Sequence, residues 1–337
     1  MENNVKTQSP HLQGDGRFVQ LAPHIRSNDS VTKIMRDVLI ALAPAVVGSV
    51  YFFGMQALII YLISVICCVG SEFAFQKITK KESQIGDLSA VVTGVLLAMN
   101  MPAGVPWYVP AIASIFAIVV VKEAFGGIGG NFVNPALAGR AMAMLSWPAL
   151  MATYTAPAMS KAAAAADAAS AATDAVAVAT PLTIIKAGQQ LDALPPLKDM
   201  FLGNIGGVIG ETSALLLLIG ACYLLARKVI DWKIPVIYIA TTAVFLLVFG
   251  VGTDLLPYEI LGGGLFLGAF FMATDYSSTP QGLKGKVIFA IGCGILTAVI
   301  RMKGNMAEGV SYSILLMNVA SPLIERFTKT EAYGEAK

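Results

Sequence analysis

Long apolar runs alternate with short polar segments along most of the chain, beginning near Val38. A membrane-crossing helix needs about 20 mostly apolar residues. Read between polar or Gly/Pro breaks, the runs predict ten helices. Their intervals are 37–53, 56–75, 88–102, 107–122, 135–150, 213–227, 235–251, 260–274, 287–300 and 308–323. Several are short, which is typical of broken helices that line a site, although error in the predicted boundaries explains it equally well. The pattern predicts an all-α polytopic membrane protein.

The predicted helices fall into two groups of five, separated by one long loop. We expect a cytoplasmic N-terminal arm at 1–36 and a first membrane repeat at 37–150. A loop follows at 151–212, then a second membrane repeat at 213–325 and a cytoplasmic tail at 326–337.

Lysine and arginine are concentrated on one side of the predicted bundle. With the N-terminus in the cytoplasm, 17 basic residues lie inside and five outside, while Arg140 lies within a span. Because loops rich in Lys and Arg remain cytoplasmic, we expect both termini inside. The same orientation places the loop 151–212 on the outer face of the membrane.

Composition narrows the function classes. The chain has 337 residues, of which 56% are apolar and 13% charged, whereas soluble domains carry about 25% charged residues. This excludes a soluble enzyme, a disordered protein and a disulfide-stapled secreted domain. The net charge of +2 gives no electrostatic footprint for nucleic acid, so lipid is the expected surrounding.

The residues that bind common metal cofactors are poorly placed. The four cysteines lie in apolar runs without a C-x-x-C pair, so a zinc site or a four-cysteine iron–sulfur cluster is not expected. Both histidines lie in the polar arm, which excludes a bis-histidine haem within the spans. These residues are Cys67, Cys68, Cys222, Cys293, His11 and His24. The chain also lacks a phosphate-binding P-loop motif.

The two halves of the chain share a sequence pattern. The stretch from Gly94 to Asn100 resembles the stretch from Gly268 to Asp275, and each is followed by a polar loop and a span that ends in a basic residue. Those residues are Lys122 and Arg301. An offset of five spans gives the halves opposite orientations, which predicts inverted repeats with a site between them.

The long loop changes character along its length. Residues 161–179 contain twelve alanines, which favour helix, although a low-complexity linker explains the composition equally well. Thr180 then precedes Pro181, which biases it toward an extended conformation. We expect its hydroxyl to be presented rather than bonded to a helix carbonyl; an ordinary turn is the alternative.

The stretch Asp174–Leu182, of sequence DAVAVATPL, is similar to the flavinylation motif of the RnfD/NqrB family of membrane proteins. Further blocks carry the same resemblance, from residue 22 to about 324. They are Ala22–Ser27, Gly126–Arg140, Gly207–Ser213, Met272–Asp275 and Glu308–Asn318.

The resemblance implies two flavins. In this family FMN is joined through its phosphate to a threonine hydroxyl by a separate flavin transferase; the matching position is Thr180, with Asp174 in the motif and Thr183 as the next candidate acceptor. The family usually has Ser or Thr and then Gly where Ala177 and Val178 stand here. A non-covalent riboflavin is implied among the spans.

The resemblance also implies a role in the inner membrane of a bacterium or archaeon. The chain would be an electron-transfer component of an Rnf-type ferredoxin:NAD⁺ oxidoreductase, which couples electron flow to Na⁺ or H⁺ movement. Its partners would be other components of the complex, especially the FMN-bearing RnfG and the membrane proteins RnfA and RnfE. The NqrB component of a Na⁺-translocating NADH:quinone reductase is the alternative, although an arm of about 36 residues is short for it. An inverted-repeat transporter or channel without redox function is an alternative of another class.

Polar residues within or beside the spans are candidates for function. Arg140 could neutralise a flavin or pair with an acid, and Asn134 and Asn318 could bind a flavin edge or bond between helices. The glycines of 126–130 and 206–210 permit either close approach to a flavin or tight helix packing.

Acidic residues near the ends of spans are candidates for an ion path. Asp275, Asp87 and Glu123 are the residues that we assign to it. For most of the acids at or near span ends, a solvated interfacial position is the expected environment. These acids are Asp275, Asp87, Glu72, Glu123 and Glu211.

Overall fold

The computed structural model describes residues 11–13, 17–19, 30–81, 84–157, 179–188, 194–304 and 306–328. In the arm, strands β1 (His11–Gln13) and β2 (Arg17–Val19) pair antiparallel, with His11 opposite Val19. The remaining described elements are helical. Asp174, the block Ala22–Ser27 and most of the alanine-rich stretch lie outside the described residues.

The described helices are numbered α1 to α14 in chain order. The first six are α1 Val31–Phe53, α2 Met55–Ile78, α3 Ser89–Met99, α4 Tyr108–Phe125, α5 Pro135–Ser146 and α6 Pro148–Met151. Then come α7 Pro181–Lys186, α8 Leu197–Leu202, α9 Ala214–Ala226, α10 Lys233–Val248 and α11 Leu256–Leu261. The last three are α12, which runs through Leu265–Leu267 and Gly268–Met272, then α13 Leu283–Lys303 and α14 Val310–Phe327. A single 3₁₀ turn, Ile85–Asp87, precedes α3.

The prediction of a helical polytopic membrane protein is confirmed. Helices α1, α2, α4 and α13 are each long and apolar enough to cross a membrane, while α3, α9 and α10 are shorter apolar helices. Every predicted interval overlaps a helix. The count of ten crossings and the domain boundaries stay predictions.

Helix boundaries follow from local sequence. Ser30 caps α1 by accepting a hydrogen bond from Lys33 N at 3.3 Å, as N-cap serines do. Asn134 caps α5, and Pro135 occupies the first helical position, where its missing N–H costs nothing. Between α1 and α2, Gly54 adopts φ +66°, a conformation that glycine takes without steric cost.

The bundle has two ends, which we name by what lies there. At the α1 end, Thr32 Oγ1 donates to Gly86 O at 3.4 Å, and Asp37 pairs with Arg227 after α9 at 3.1 Å. At the loop end, Lys186 of α7 reaches the turn that follows α13. Helix α13 therefore runs from the α1 end to the loop end.

Glycines allow some helices to pack closely. Helix α9 lies against α1 with Gly220 facing Ala41 O, and α3 lies against α2 with Gly94 facing Val65. A side chain at either glycine would overlap the neighbouring backbone. Close packing through small residues is the usual means of helix association in lipid.

Irregular backbone occupies the space that the short helices leave. Helix α3 has 11 residues, about 16 Å at 1.5 Å per residue, so it covers about half of a bilayer core. Beyond it, Ile209 N donates to Met101 O at 3.0 Å and Gly210 N to Met99 O at 2.9 Å. These bonds satisfy polar groups that lipid could not.

The two glycine clusters have different roles. Gly126, Gly127 and Gly129 have φ values of +116°, +92° and +84°, so the first cluster is a turn, and tight helix packing is wrong for it. In the second cluster Gly210 lies directly against Met99, where a side chain would not fit.

Candidate functional site

A buried cluster surrounds Arg140 on the loop-end side of the bundle. Its Nη1 donates to Asn100 Oδ1 at 2.6 Å and to Glu211 Oε1 at 2.5 Å, and its Nη2 pairs with Glu308. These four residues form the Arg140 cluster. Pairing with acids is one of the two roles considered for Arg140; its role toward a flavin stays a prediction.

The solvated position expected for Glu211 is wrong, because its side chain is only 3% exposed. The chain re-enters the bundle before α9, and the hydrogen bond from Gly210 to Met99 holds it there. Gly264, between α11 and α12, leaves room for the carboxylate, since a Cβ there would lie 2.5 Å from Glu211 Oε1. The short gap between these two helices therefore shapes the cluster.

A second buried ion pair adjoins the Arg140 cluster. Arg301 Nη1 donates to Glu259 Oε2 at 3.1 Å and to Glu259 O, and its Nη2 donates to Gly262 O at 3.3 Å. At Gly263 a Cβ would lie 3.3 Å from Arg301 Nη2 and 3.5 Å from Glu308 Cγ. Sequence reasoning missed this pair, although Arg301 ends one of the two matching spans.

Thr180 has the extended backbone predicted for it, with φ −73° and ψ 153°. Its side chain accepts a hydrogen bond from Thr183 N at 3.3 Å, and the residue is 6% exposed. Its hydroxyl donates to Thr183 Oγ1 at 3.2 Å and not to a helix carbonyl, as expected, but it is buried rather than presented. The reason is local, because Pro181 begins α7 and the threonine becomes its N-cap.

Helix α7 is docked onto the break between α11 and α12. Leu182 is buried against Gly262 and Gly263. Lys186 Nζ donates to Gly304 O and Met306 O at 2.5 Å each, and partial removal from water lowers the pKa of this ammonium. Thr180 is thus two residues from Leu182, whose side chain packs on Gly263 beside Arg301 and Glu308.

A cavity of about 490 Å³ opens at the α1 end, within the usual size range for ligand pockets. Its apolar wall includes Val92, Leu96, Phe270 and Phe271. The polar side chains around it belong mainly to the turn before α5 and the loop after α12. They include Asn131, Asn134, Thr274, Ser277 and Ser278.

The asparagines at this cavity hold structural elements together. Asn134 Oδ1 accepts from Ala136 N and Leu137 N at the start of α5, and its Nδ2 donates to Met272 O at 3.5 Å. Asn131 Oδ1 accepts from Ser277 Oγ at 2.8 Å. Asn318, on α14, lines the same cavity. The hydrogen bond from Asn134 to Met272 is a bond between elements, as one of the two expectations had it.

A polar network beside the cavity joins two of the three predicted ion-path residues. Ser89 Oγ donates to Asp87 Oδ1 at 2.6 Å, and Lys122 Nζ donates to Ser89 Oγ at 2.5 Å and to Glu72 at 2.9 Å. Gln76 Nε2 then donates to Glu72 and Glu123 at 3.2 Å each. We call this set the Lys122 network.

The solvated position expected for the acids of this network is wrong for two of them. Glu72 is fully buried and Glu123 nearly so, because Lys122, from a different helix than Glu72, supplies a buried counter-charge. Lys122 was recognised as the end of a span but not as the partner of these acids.

The third predicted ion-path residue, Asp275, lines the cavity from the loop after α12. It accepts hydrogen bonds from Ser278 Oγ at 2.9 Å and Ser277 N at 3.4 Å. Burial raises the pKa of its carboxyl, and these hydrogen bonds oppose that rise. Asp275 therefore lines the same cavity as Lys122 and Ser89 of the Lys122 network.

A protein-family model matches almost the entire sequence. The NQR2, RnfD, RnfE family matches residues 18–334. The match includes both buried clusters, the cavity and the segment around Thr180.

Curated relatives align over similar lengths. A protein of Acetobacterium woodii, named as the D component of a Na⁺-translocating ferredoxin:NAD⁺ oxidoreductase complex, is 49% identical over 95% of this chain and 96% of its own. A Clostridium ljungdahlii protein, named as the D component of the proton-translocating complex, is 42% identical over 94% and 96%. A Halorhodospira halophila protein, named as the D component of an ion-translocating oxidoreductase complex, is 35% identical over 94% and 95%.

Proposed function

Because the chain belongs to the NQR2, RnfD, RnfE family, we propose that it is the RnfD component of an ion-translocating ferredoxin:NAD⁺ oxidoreductase complex. The observation that carries this proposal is 49% identity over 95% of the chain to a relative named as that component. The protein relays electrons within a complex of the inner membrane and has no complete activity alone. Its proposed neighbours are RnfG and the membrane proteins RnfA and RnfE.

The proposed covalent cofactor is FMN, esterified through its phosphate to Thr180 by a separate flavin transferase. Sequence similarity to the family motif and the position of Thr180 at the loop end support this assignment. Because the hydroxyl is buried and caps α7, the transferase must reach it before α7 docks or displace α7. Flavin would supply the electron chemistry, and the protein would supply position and electrostatics.

The proposed non-covalent riboflavin fits the cavity at the α1 end. Phe270, Phe271 and Leu96 offer an apolar wall for a ring system, while Asn131 and Ser277 offer polar groups for its edge. Polar groups set within a mostly apolar wall are typical of cofactor pockets. The role of the chain there is to bind the ring, orient it and exclude water.

Coupling to ion movement is proposed for the polar groups between the two flavin positions. The Lys122 network and Asp275 border the cavity, and the Arg140 cluster lies toward the loop end. Buried ionisable groups within a membrane bundle commonly mark ion pathways. Asp87, Glu123 and Asp275 are the candidates at the α1 end.

The covalent flavin is tested by in-gel fluorescence. The complex is purified from cells that contain the flavin transferase, denatured and viewed under ultraviolet light. The wild-type chain is expected to fluoresce, Thr180→Ala to be dark, and Thr183→Ala to fluoresce like the wild type. A dark wild-type band contradicts the covalent cofactor and favours a transporter without redox function; a fluorescent Thr180→Ala moves the attachment elsewhere.

The family also includes NQR2, so the electron acceptor needs its own test. The assembled complex is expected to reduce NAD⁺ with reduced ferredoxin. Reduction of quinone by NADH in place of that reaction would assign the chain to the NqrB component of a Na⁺-translocating NADH:quinone reductase.

A further inference from the structure

The Arg140 cluster and the neighbouring ion pair together hold an unequal number of charges. Two guanidinium groups, of Arg140 and Arg301, face three carboxylates, of Glu211, Glu259 and Glu308. Gly263 lies between Arg301 and Glu308, so the two sets adjoin. With every group ionised, the described cluster carries one excess negative charge. Such a charge is costly in a medium of low dielectric constant.

In the described part of the chain, no other buried cation adjoins these five groups. Lys186 is the next cation, and its charge acts on Glu259. Its side chain is exposed, however, so water screens that charge, and its ammonium donates to Gly304 O and Met306 O. Tyr154 and Tyr312, which also lie near Arg140, are neutral in their ordinary form. Among the buried groups of the described part of the chain, the imbalance therefore remains.

One carboxylate oxygen of the Arg140 cluster is buried without a hydrogen-bond partner. Glu211 Oε1 accepts from Arg140, but Glu211 Oε2 is buried and has no hydrogen-bond partner among the described residues. A buried carboxylate oxygen without a partner loses its hydration without replacement. This observation is independent of the charge count and concerns the same side chain.

We propose that Glu211 Oε2 binds one Na⁺ ion, with the Glu308 carboxylate and the Asn100 amide oxygen as neighbouring ligands. All three side chains meet the same guanidinium group, so their oxygen atoms converge on one region. Carboxylate and amide oxygens are the ligands that hard cations take. A single positive charge restores neutrality, whereas a divalent cation would overcompensate.

The exposure of the two acids gives the direction of entry. The Glu308 side chain is 15% exposed and that of Glu211 is 3% exposed. Glu308 precedes α14 at the loop end, so the ion enters from that end, past Glu308, and stops at Glu211. This inference rests on the proposed function, because the bound ion would be the one that the complex translocates.

The test is equilibrium binding of radioactive ²²Na⁺ to the detergent-purified complex, competed with unlabelled Na⁺ or K⁺. Glu211→Gln is expected to bind one Na⁺ fewer per complex than the wild type. The control is Asp231→Asn, which removes a carboxylate at the α1 end, 3.9 Å from Lys286 and outside the cluster; it should bind as many ions as the wild type. Equal binding by wild type and Glu211→Gln overturns the proposal, as does a wild type whose site responds to pH but not to Na⁺.

A second variant tests the proposal even if Glu211→Gln fails to assemble into the complex. Glu211→Asp keeps the charge but withdraws the carboxylate by one methylene, so the site should remain with about tenfold weaker Na⁺ affinity. Unchanged affinity would overturn the proposal. In-gel flavin fluorescence on the same samples separates the two hypotheses, since loss of fluorescence in the wild type counts against the proposed function and not against the Na⁺ site.

Discussion

The contact between Arg140 and Glu211 is a buried ion pair whose loss should lower the free energy of unfolding measurably. Replacing Arg140 with Met removes the guanidinium that contacts Asn100, Glu211 and Glu308. Two carboxylates then remain without their counter-charge, one of them almost fully buried. Removing one partner of a buried pair costs about 3–5 kcal/mol, so the variant should lose about that much unfolding free energy.

A double-mutant cycle separates this charge effect from lost packing. In Arg140→Met/Glu211→Met both members of the pair are apolar, and replacing a buried ion pair in this way is often close to neutral. We therefore expect the double variant to be more stable than Arg140→Met by about 2 kcal/mol or more, since apolar replacement removes the buried charge.

The assay is detergent-to-denaturant unfolding of the purified chain, followed by circular dichroism. Lys233→Met is the matched control, because Lys233 lies 3.9 Å from Asp231 and both side chains reach water, with 37% and 28% of their surface exposed; exposed pairs contribute about 0–1 kcal/mol. Effects of Arg140→Met and Glu211→Met that add to within about 0.5 kcal/mol would refute the buried pair. A loss of similar size in Lys233→Met would mean that the assay does not distinguish buried from exposed ion pairs.

Three further substitutions test other buried contacts. Gly264→Ala, whose Cβ would lie 2.5 Å from Glu211 Oε1, should cost about 1–3 kcal/mol in the same unfolding assay. Gly252→Ala, whose Cβ would meet no described residue within 4 Å, should cost much less, and equal losses would contradict the close fit at Gly264. Lys122→Met should lose about 3–5 kcal/mol because Glu72 stays buried without a cation, and an unchanged midpoint would refute that pairing. Leu182→Ala should loosen α7 and speed tryptic cleavage after Lys186, and an unchanged cleavage rate would show that Leu182 does not hold α7 in place.

Sequence periodicity was sufficient to predict the helices but not the burial of the acidic side chains beside them. Each apolar interval overlaps a helix, since a lipid-facing run needs only composition to be recognised. Glu72 and Glu211 were expected in solvent because nothing local reveals a partner; their cations, Lys122 and Arg140, come from distant helices. Burial of these acids is thus a tertiary effect that a single sequence does not encode locally.

The segment around Thr180 shows the same division between local and tertiary information. The following proline predicted the extended backbone, which the structure has. Burial of the hydroxyl depends on α7 docking through Leu182 onto the glycines between α11 and α12. That contact joins residues about 80 positions apart, and no local pattern specifies it.

Mass spectrometry of the tryptic peptide spanning residues 162–186 tests the covalent attachment of flavin, the central claim, most directly. The peptide lies between Lys161 and Lys186 and contains both Thr180 and Thr183. From the native host, we expect a peptide heavier by FMN less one water, with fragment ions placing the addition on Thr180. Recovery of this peptide wholly unmodified, from cells that contain the flavin transferase, would contradict the claim.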